Sequence, residues 1–268
     1  MRSVLQMAEH PMERLMRLSL LATFPLLLTA CAPEPVDPTA LPCSSEEAVV
    51  RLTTSDGLLL AADYQPATTQ NRGAVLLLHM IPPGNDRSGY PQEVRQAISG
   101  LDLSVLNIDR RGAGESEGIA QEAYEGPWGL LDVEAAMRFM TNPELPCAVD
   151  PTQIAIVGAS NGTTPVLDYA VGHDATLPQP AAMVWMSPGS YTENQNRITS
   201  SRAVLDQLPL MWLYPGSEPY STAFIDDASP AWRFVERGEA HGTRMFNGGD
   251  LQEETTTELL EWFNRWIP

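Results

Sequence analysis

Ile154-Ala155-Ile156-Val157-Gly158-Ala159-Ser160-Asn161-Gly162, followed by Thr163 to Val171, is the stretch whose reading decides the fold. The first four residues form an apolar run suited to a buried strand, and Thr163 to Val171 reads as a helix. Between them stands Gly-x-Ser-x-Gly. Alone, such a pentapeptide is a glycine-bracketed turn with an N-capping serine. Set between strand and helix, it describes a nucleophile elbow, in which Ser160 sits on a strained turn. Gly158 and Gly162 then remove side chains that would collide with neighbouring backbone.

The chain on either side repeats the alternation. Gly73 to His79 and Leu103 to Asp109 are continuous apolar runs of the kind found in strands buried on both faces, and a helical pattern over Tyr90 to Ile98 separates them. Further strands are expected at Ala181 to Met186, Leu208 to Tyr214 and Trp232 to Val235, with helices at Leu130 to Met140 and Glu254 to Ile267. Two β-rich runs, Glu46 to Thr54 and Leu58 to Tyr64, come first and flank Ser55-Asp56-Gly57, a hairpin signal. The pattern predicts an α/β fold: a mostly parallel sheet with an antiparallel N-terminal hairpin, helices on both faces and right-handed crossovers. At 268 residues, one core can hold all of it.

The formal net charge is -18, and all 16 basic residues are arginine. Such a surface repels phosphate backbones, which argues against nucleic-acid binding. The absence of lysine excludes Schiff-base chemistry and a serine-lysine dyad. No glycine-rich fingerprint follows the first strand and no His, Cys or carboxylate cluster has metal-ligand spacing, so neither cofactor nor metal is expected.

Arg14 and Arg17 precede an apolar segment, Leu18 to Leu28, with the charge and length of a signal peptide and too short to span a bilayer. Leu28-Thr29-Ala30-Cys31 resembles the bacterial lipobox, which implies removal of residues 1–30 and lipidation of Cys31; an ordinary secretory signal is the alternative. Ala32 in place of aspartate fits sorting to the outer membrane. A proline-rich tether over 31–45 and a domain over 46–268 follow. Cys43 and Cys147 are then the remaining thiols in an oxidising compartment, either bonded to each other or free.

Four segments together resemble the α/β-hydrolase superfamily, in its dienelactone hydrolase and esterase-like form: the elbow, Leu76-Leu77-Leu78-His79-Met80-Ile81-Pro82, Asp109-Arg110-Arg111-Gly112-Ala113-Gly114-Glu115-Ser116, and Gly238-Glu239-Ala240-His241-Gly242-Thr243. The resemblance covers nearly everything from Glu46 onward and implies a serine nucleophile, Ser160. Of the four histidines, His10 falls in the leader and His173 beyond the elbow helix. His79 is implied as a structural residue shaping the oxyanion loop, and His241 as the general base in the order serine, acid, histidine.

The acid is expected in Pro215-Gly216-Ser217-Glu218-Pro219-Tyr220-Ser221, similar to an Asp-Pro-Tyr-Ser stretch of some members, which nominates Glu218 over Asp226, Asp227 and Glu239. Ser187-Pro188-Gly189-Ser190, after the preceding strand, offers no carboxylate. The oxyanion donors implied are the amide of Asn161 and that of Met80 or Ile81, where His-Met replaces the usual His-Gly. The short connection Ser190 to Gln207 leaves no room for a large lid, so small or short-chain esters are the expected substrates. Two other readings remain: a prolyl-oligopeptidase-type peptidase, which generally carries a further domain, and a catalytically silent envelope lipoprotein of the same fold.

Overall fold

The computed structural model describes residues 34–268 except residue 45. The leader over 1–30, with His10, and Cys31 lie outside the described residues. Eight strands, β1 (Ala48–Thr53), β2 (Leu59–Gln65), β3 (Arg72–Leu78), β4 (Ser104–Ile108), β5 (Val149–Ala159), β6 (Ala182–Met186), β7 (Leu210–Tyr214) and β8 (Trp232–Glu236), form one sheet. Their order is β1-β2-β4-β3-β5-β6-β7-β8. β1 and β2 are antiparallel to each other and β2 is antiparallel to β4, whereas β4, β3 and β5 to β8 run parallel.

Alternate residues of the central strands feed two cores. Leu76, Leu78, Ile154 and Ile156 face one side, where α2 (Trp128–Met140) and α3 (Thr163–Gly172) pack, while Val75, Leu77, Ala155 and Val157 face the other, under α1 (Gln92–Ser99) and α5 (Gly249–Trp266). This two-sided burial is why those strands are uniformly apolar in sequence. One short helix, α4 (Arg202–Leu205), and a 3₁₀ turn lie between β6 and β7, so no large lid is inserted there. Among the described residues, no helix is long and apolar enough to cross a membrane.

Two elements begin about five residues earlier than the sequence pattern suggests. β5 starts at Val149, running through two exposed residues, Pro151 and Thr152, before its apolar run, and α5 starts at Gly249, where Gly249 and Asp250 are poor helix formers. The stretch from Glu34 to Cys43 is fastened to the domain. The Val36 N–H donates to Val49 O, Leu41 packs on the core, and Cys43 is disulfide-bonded to Cys147 with Cα atoms 5.1 Å apart.

Candidate active site

In a parallel sheet, loops at the carboxyl ends of the strands converge. Here those of β3, β5, β7 and β8 bring together His79-Met80-Ile81, Ser160, Glu218 and His241. Ser160 has φ +50, a strained backbone for a residue with a side chain, and follows β5 directly. The strain persists because the turn is packed without slack. A Cβ on Gly158 would lie 2.5 Å from the Gly162 carbonyl oxygen, and one on Gly162 would meet the carbonyls of His79 and Leu78 at 2.6 and 2.7 Å.

The Ser160 hydroxyl donates to His241 Nε2 at 2.6 Å, and His241 Nδ1–H donates to Glu218 Oε1. A carboxylate can only accept, so the proton resides on Nδ1 and leaves Nε2 free to accept from serine. Both partners are partly open to solvent, with side-chain exposures of 32% for His241 and 29% for Glu218. Asp226, Asp227 and Glu239 are exposed, and Asp227 pairs instead with Arg202 at 2.9 Å. His173 stands at the end of α3, stacked on Tyr169 and bonded to its carbonyl.

His79 is fully buried. Its Nε2 accepts from the Arg110 N–H at 2.9 Å and its Nδ1–H donates to Met80 O at 2.7 Å. Burial, aided by the Arg110 charge, holds its pKa down to about 3, so the ring is neutral and can serve as acceptor and donor at once. The Met80 side chain, the residue that departs from His-Gly, turns into the core. A Cβ at Gly242 would lie 2.7 Å from its sulfur, so Met80 occupies the space that Gly242, at φ +55, leaves open beneath His241. Neither the Met80 nor the Ile81 N–H donates to another described residue, whereas the carbonyls of His79 and Met80 are both engaged by Arg110.

Three contributors were not evident from sequence. Arg110 lies buried behind the loop. Ser187, at φ +53, accepts from the Gly242 N–H through its hydroxyl at 2.8 Å and so holds the His241 loop. Tyr191 donates to Ser187 O at 2.5 Å and stands beside Ser160, its own pKa pushed up to about 12 chiefly by burial. For Ser187 the only signal was its place at a strand end, and for Arg110 its position inside a recognised turn.

Pro188, Gly189, Tyr191, Pro219 and Tyr220 wall a cleft of about 560 Å³ that reaches Glu218 and His241. No arginine lines it. A second cleft, of about 480 Å³ near Asp63, Arg87 and Arg95, has its charges engaged in ion pairs with one another and lies away from Ser160.

No family model matches the chain. Over 160 residues it is 34% identical to an uncharacterized protein of Mycobacterium tuberculosis, covering 59% of this chain and 50% of that protein, so the chain spans about half the length of the curated relatives it matches. An esterase of Pyrococcus furiosus superposes with a TM-score of 0.66 at 17% identity, covering 88% of this chain and 97% of that one. A dienelactone hydrolase of Anabaena variabilis gives 0.61 at 17%, covering 83% and 99%. A Xanthomonas campestris serine hydrolase described as lacking a lid gives 0.60 at 14%, covering 85% and 98%. At such identities the likeness is one of architecture: the chain has the α/β-hydrolase fold. Within it, the connection between β6 and β7 carries no large lid insertion.

Proposed function

We propose that the chain is a serine hydrolase that cleaves small or short-chain carboxylic esters through an acyl-enzyme. The observation that carries the reading is the unbroken hydrogen-bonded line from Ser160 through His241 to Glu218. Ser160 Oγ attacks the ester carbonyl as His241 Nε2 takes its proton, and Glu218 orients the ring and stabilises the imidazolium. The oxyanion accepts from the Asn161 amide and from that of Met80 or Ile81. His241 then protonates the leaving alcohol, and in the second half it activates the water that releases the acid.

The cleft supports the substrate class. It is aromatic and proline-walled, carries the Glu218 carboxylate and offers no cation to an anionic substrate. The esterases among the proteins of like fold favour an ester over an amide. On the lipobox resemblance, the protein is held at the bacterial cell envelope through lipidated Cys31, with the outer membrane as its site; palmitate incorporation that persists in Cys31→Ala would remove this anchor.

Residues 32–268, purified, are expected to hydrolyse p-nitrophenyl acetate and to be labelled by a fluorophosphonate, with Ser160→Ala abolishing both. Labelling without ester turnover would shift the substrate to an amide, as in the peptidase reading. No labelling of the folded protein would leave the silent lipoprotein.

A further inference from the structure

Arg110 is 1% exposed and makes no ion pair among the described residues; the carboxylate that acts on it, Asp132, is already paired with Arg111 at 2.8 Å. A buried guanidinium without a counter-ion is unfavourable unless its donors are well engaged. Burial lowers its pKa to about 10, so at neutral pH it remains a cation. Its donors reach the Met80 carbonyl at 3.4 Å, the His79 carbonyl at 3.3 Å, Asn161 Oδ1 at 3.1 Å from both terminal nitrogens, and the Ala123 carbonyl. Its backbone N–H completes the set by donating to His79 Nε2.

All of these acceptors but the Ala123 carbonyl belong to the His79-Met80-Ile81 segment or to Asn161. In a trans peptide the C=O and the following N–H point in opposite directions. A His79 carbonyl drawn toward Arg110 therefore turns the Met80 N–H away from it, and the Met80 carbonyl does the same for the Ile81 N–H. Asn161, whose backbone amide follows the nucleophile, is held through its side chain by the same guanidinium. Every donor named for the oxyanion thus belongs to a peptide or residue that Arg110 grips. A cation on the carbonyl side also polarises each peptide, which strengthens its N–H as a donor in a low-dielectric surrounding.

We infer that Arg110 is a positioning residue for ester hydrolysis: a buried cation that fixes the oxyanion-binding amides from behind and polarises those of Met80 and Ile81. Its side chain does not touch the substrate. It acts on the transition state through His79-Met80-Ile81 and Asn161, so its removal is read in kcat and not in KM. The inference rests on the serine hydrolase reading above.

The test compares Arg110→Met, which keeps most of the volume, and Arg110→Lys, which keeps the charge but loses the fork, with the wild type. Each is followed by circular dichroism, p-nitrophenyl acetate kinetics and inhibition by a trifluoromethyl ketone, whose tetrahedral adduct carries an oxyanion. Arg110→Met is expected to lower kcat on the order of a hundredfold with KM within about threefold, and to weaken the ketone in proportion. Arg110→Lys is expected to fold and to recover about a tenth of the wild-type kcat. If Arg110→Met does not fold, Arg110→Lys decides: wild-type kcat and ketone affinity in it overturn the role. So does a folded Arg110→Met with kcat within threefold, or a loss confined to KM. A wild type that resists fluorophosphonate overturns the hydrolase reading and this one with it, whereas a labelled wild type with an indifferent Arg110 overturns this one alone.

Discussion

Replacing Glu218 by glutamine removes one charge and turns an acceptor into a donor at nearly constant volume. During attack His241 becomes an imidazolium in direct contact with the Glu218 carboxylate. Two unit charges about 4 Å apart at an effective dielectric of about 20, suited to a pair about one-third exposed, interact by about 4 kcal/mol. Lost from the transition state, that is about three powers of ten in rate. A glutamine amide can also donate to Nδ1, which favours the tautomer protonated at Nε2, unable to accept from Ser160. The expected fall in kcat is therefore about 10³- to 10⁴-fold, with KM changed little, because neither term acts on bound ester in its ground state. Glu218→Asp, with the charge retained on a stem one methylene shorter, should fall between. Steady-state hydrolysis of p-nitrophenyl acetate by proteins of matched circular dichroism measures it. A Glu218→Gln enzyme within tenfold of wild-type kcat would refute both the charge argument and the assignment of the acid.

Two further outcomes concern stability. The Cys43–Cys147 bond closes a loop of 104 residues, for which chain entropy gives about 4.7 kcal/mol; Cys43→Ala should lower Tm by about 10–20 °C in a calorimeter without changing kcat. Asp168, on α3, is 4% exposed and bonded to Asn196 at 2.7 Å, and burial raises its pKa to about 6. Its folded pKa lies above the unfolded value, so the native state binds the extra proton as pH falls from about 7 to 4 and gains stability there. Asp168→Asn should be more stable than wild type by up to about 3 kcal/mol near pH 7.5, the gain vanishing near pH 4 in urea titrations.

The residues at strand ends were legible because parallel strands announce themselves as apolar runs, and the loops that follow must converge. The elbow motif pointed to Ser160 and the family resemblance to Glu218 and His241, and the fold brings the three within hydrogen-bond reach of one another. Neither reading reached Arg110, Ser187 and Tyr191, because what matters about them is which way a side chain or carbonyl turns. Arg110 meets Asn161 across 51 residues and Ser187 meets Gly242 across 55, contacts that leave no period in the sequence. The early start of β5 was hidden for a related reason: Val149 pairs with Arg72, but residues 150–153 form an irregularity in the register before Ile154 pairs with Ala74, and they carry no apolar alternation.

The disulfide also has a mechanical consequence. β1 is the outermost strand, and tension applied to the chain ahead of it would, without the bond, peel the β1–β2 hairpin from the sheet one hydrogen bond at a time. Cys147 lies just before β5, beside β3 in the middle of the sheet, at the end of the strands opposite Ser160. A pull on residues before Cys43 is therefore handed by a covalent bond to the two innermost strands at their base. Ahead of the bond, the edge hairpin feels the pull through the Val36 to Val49 hydrogen bond, and once that parts the load passes to the centre of the sheet, at the end away from the cleft.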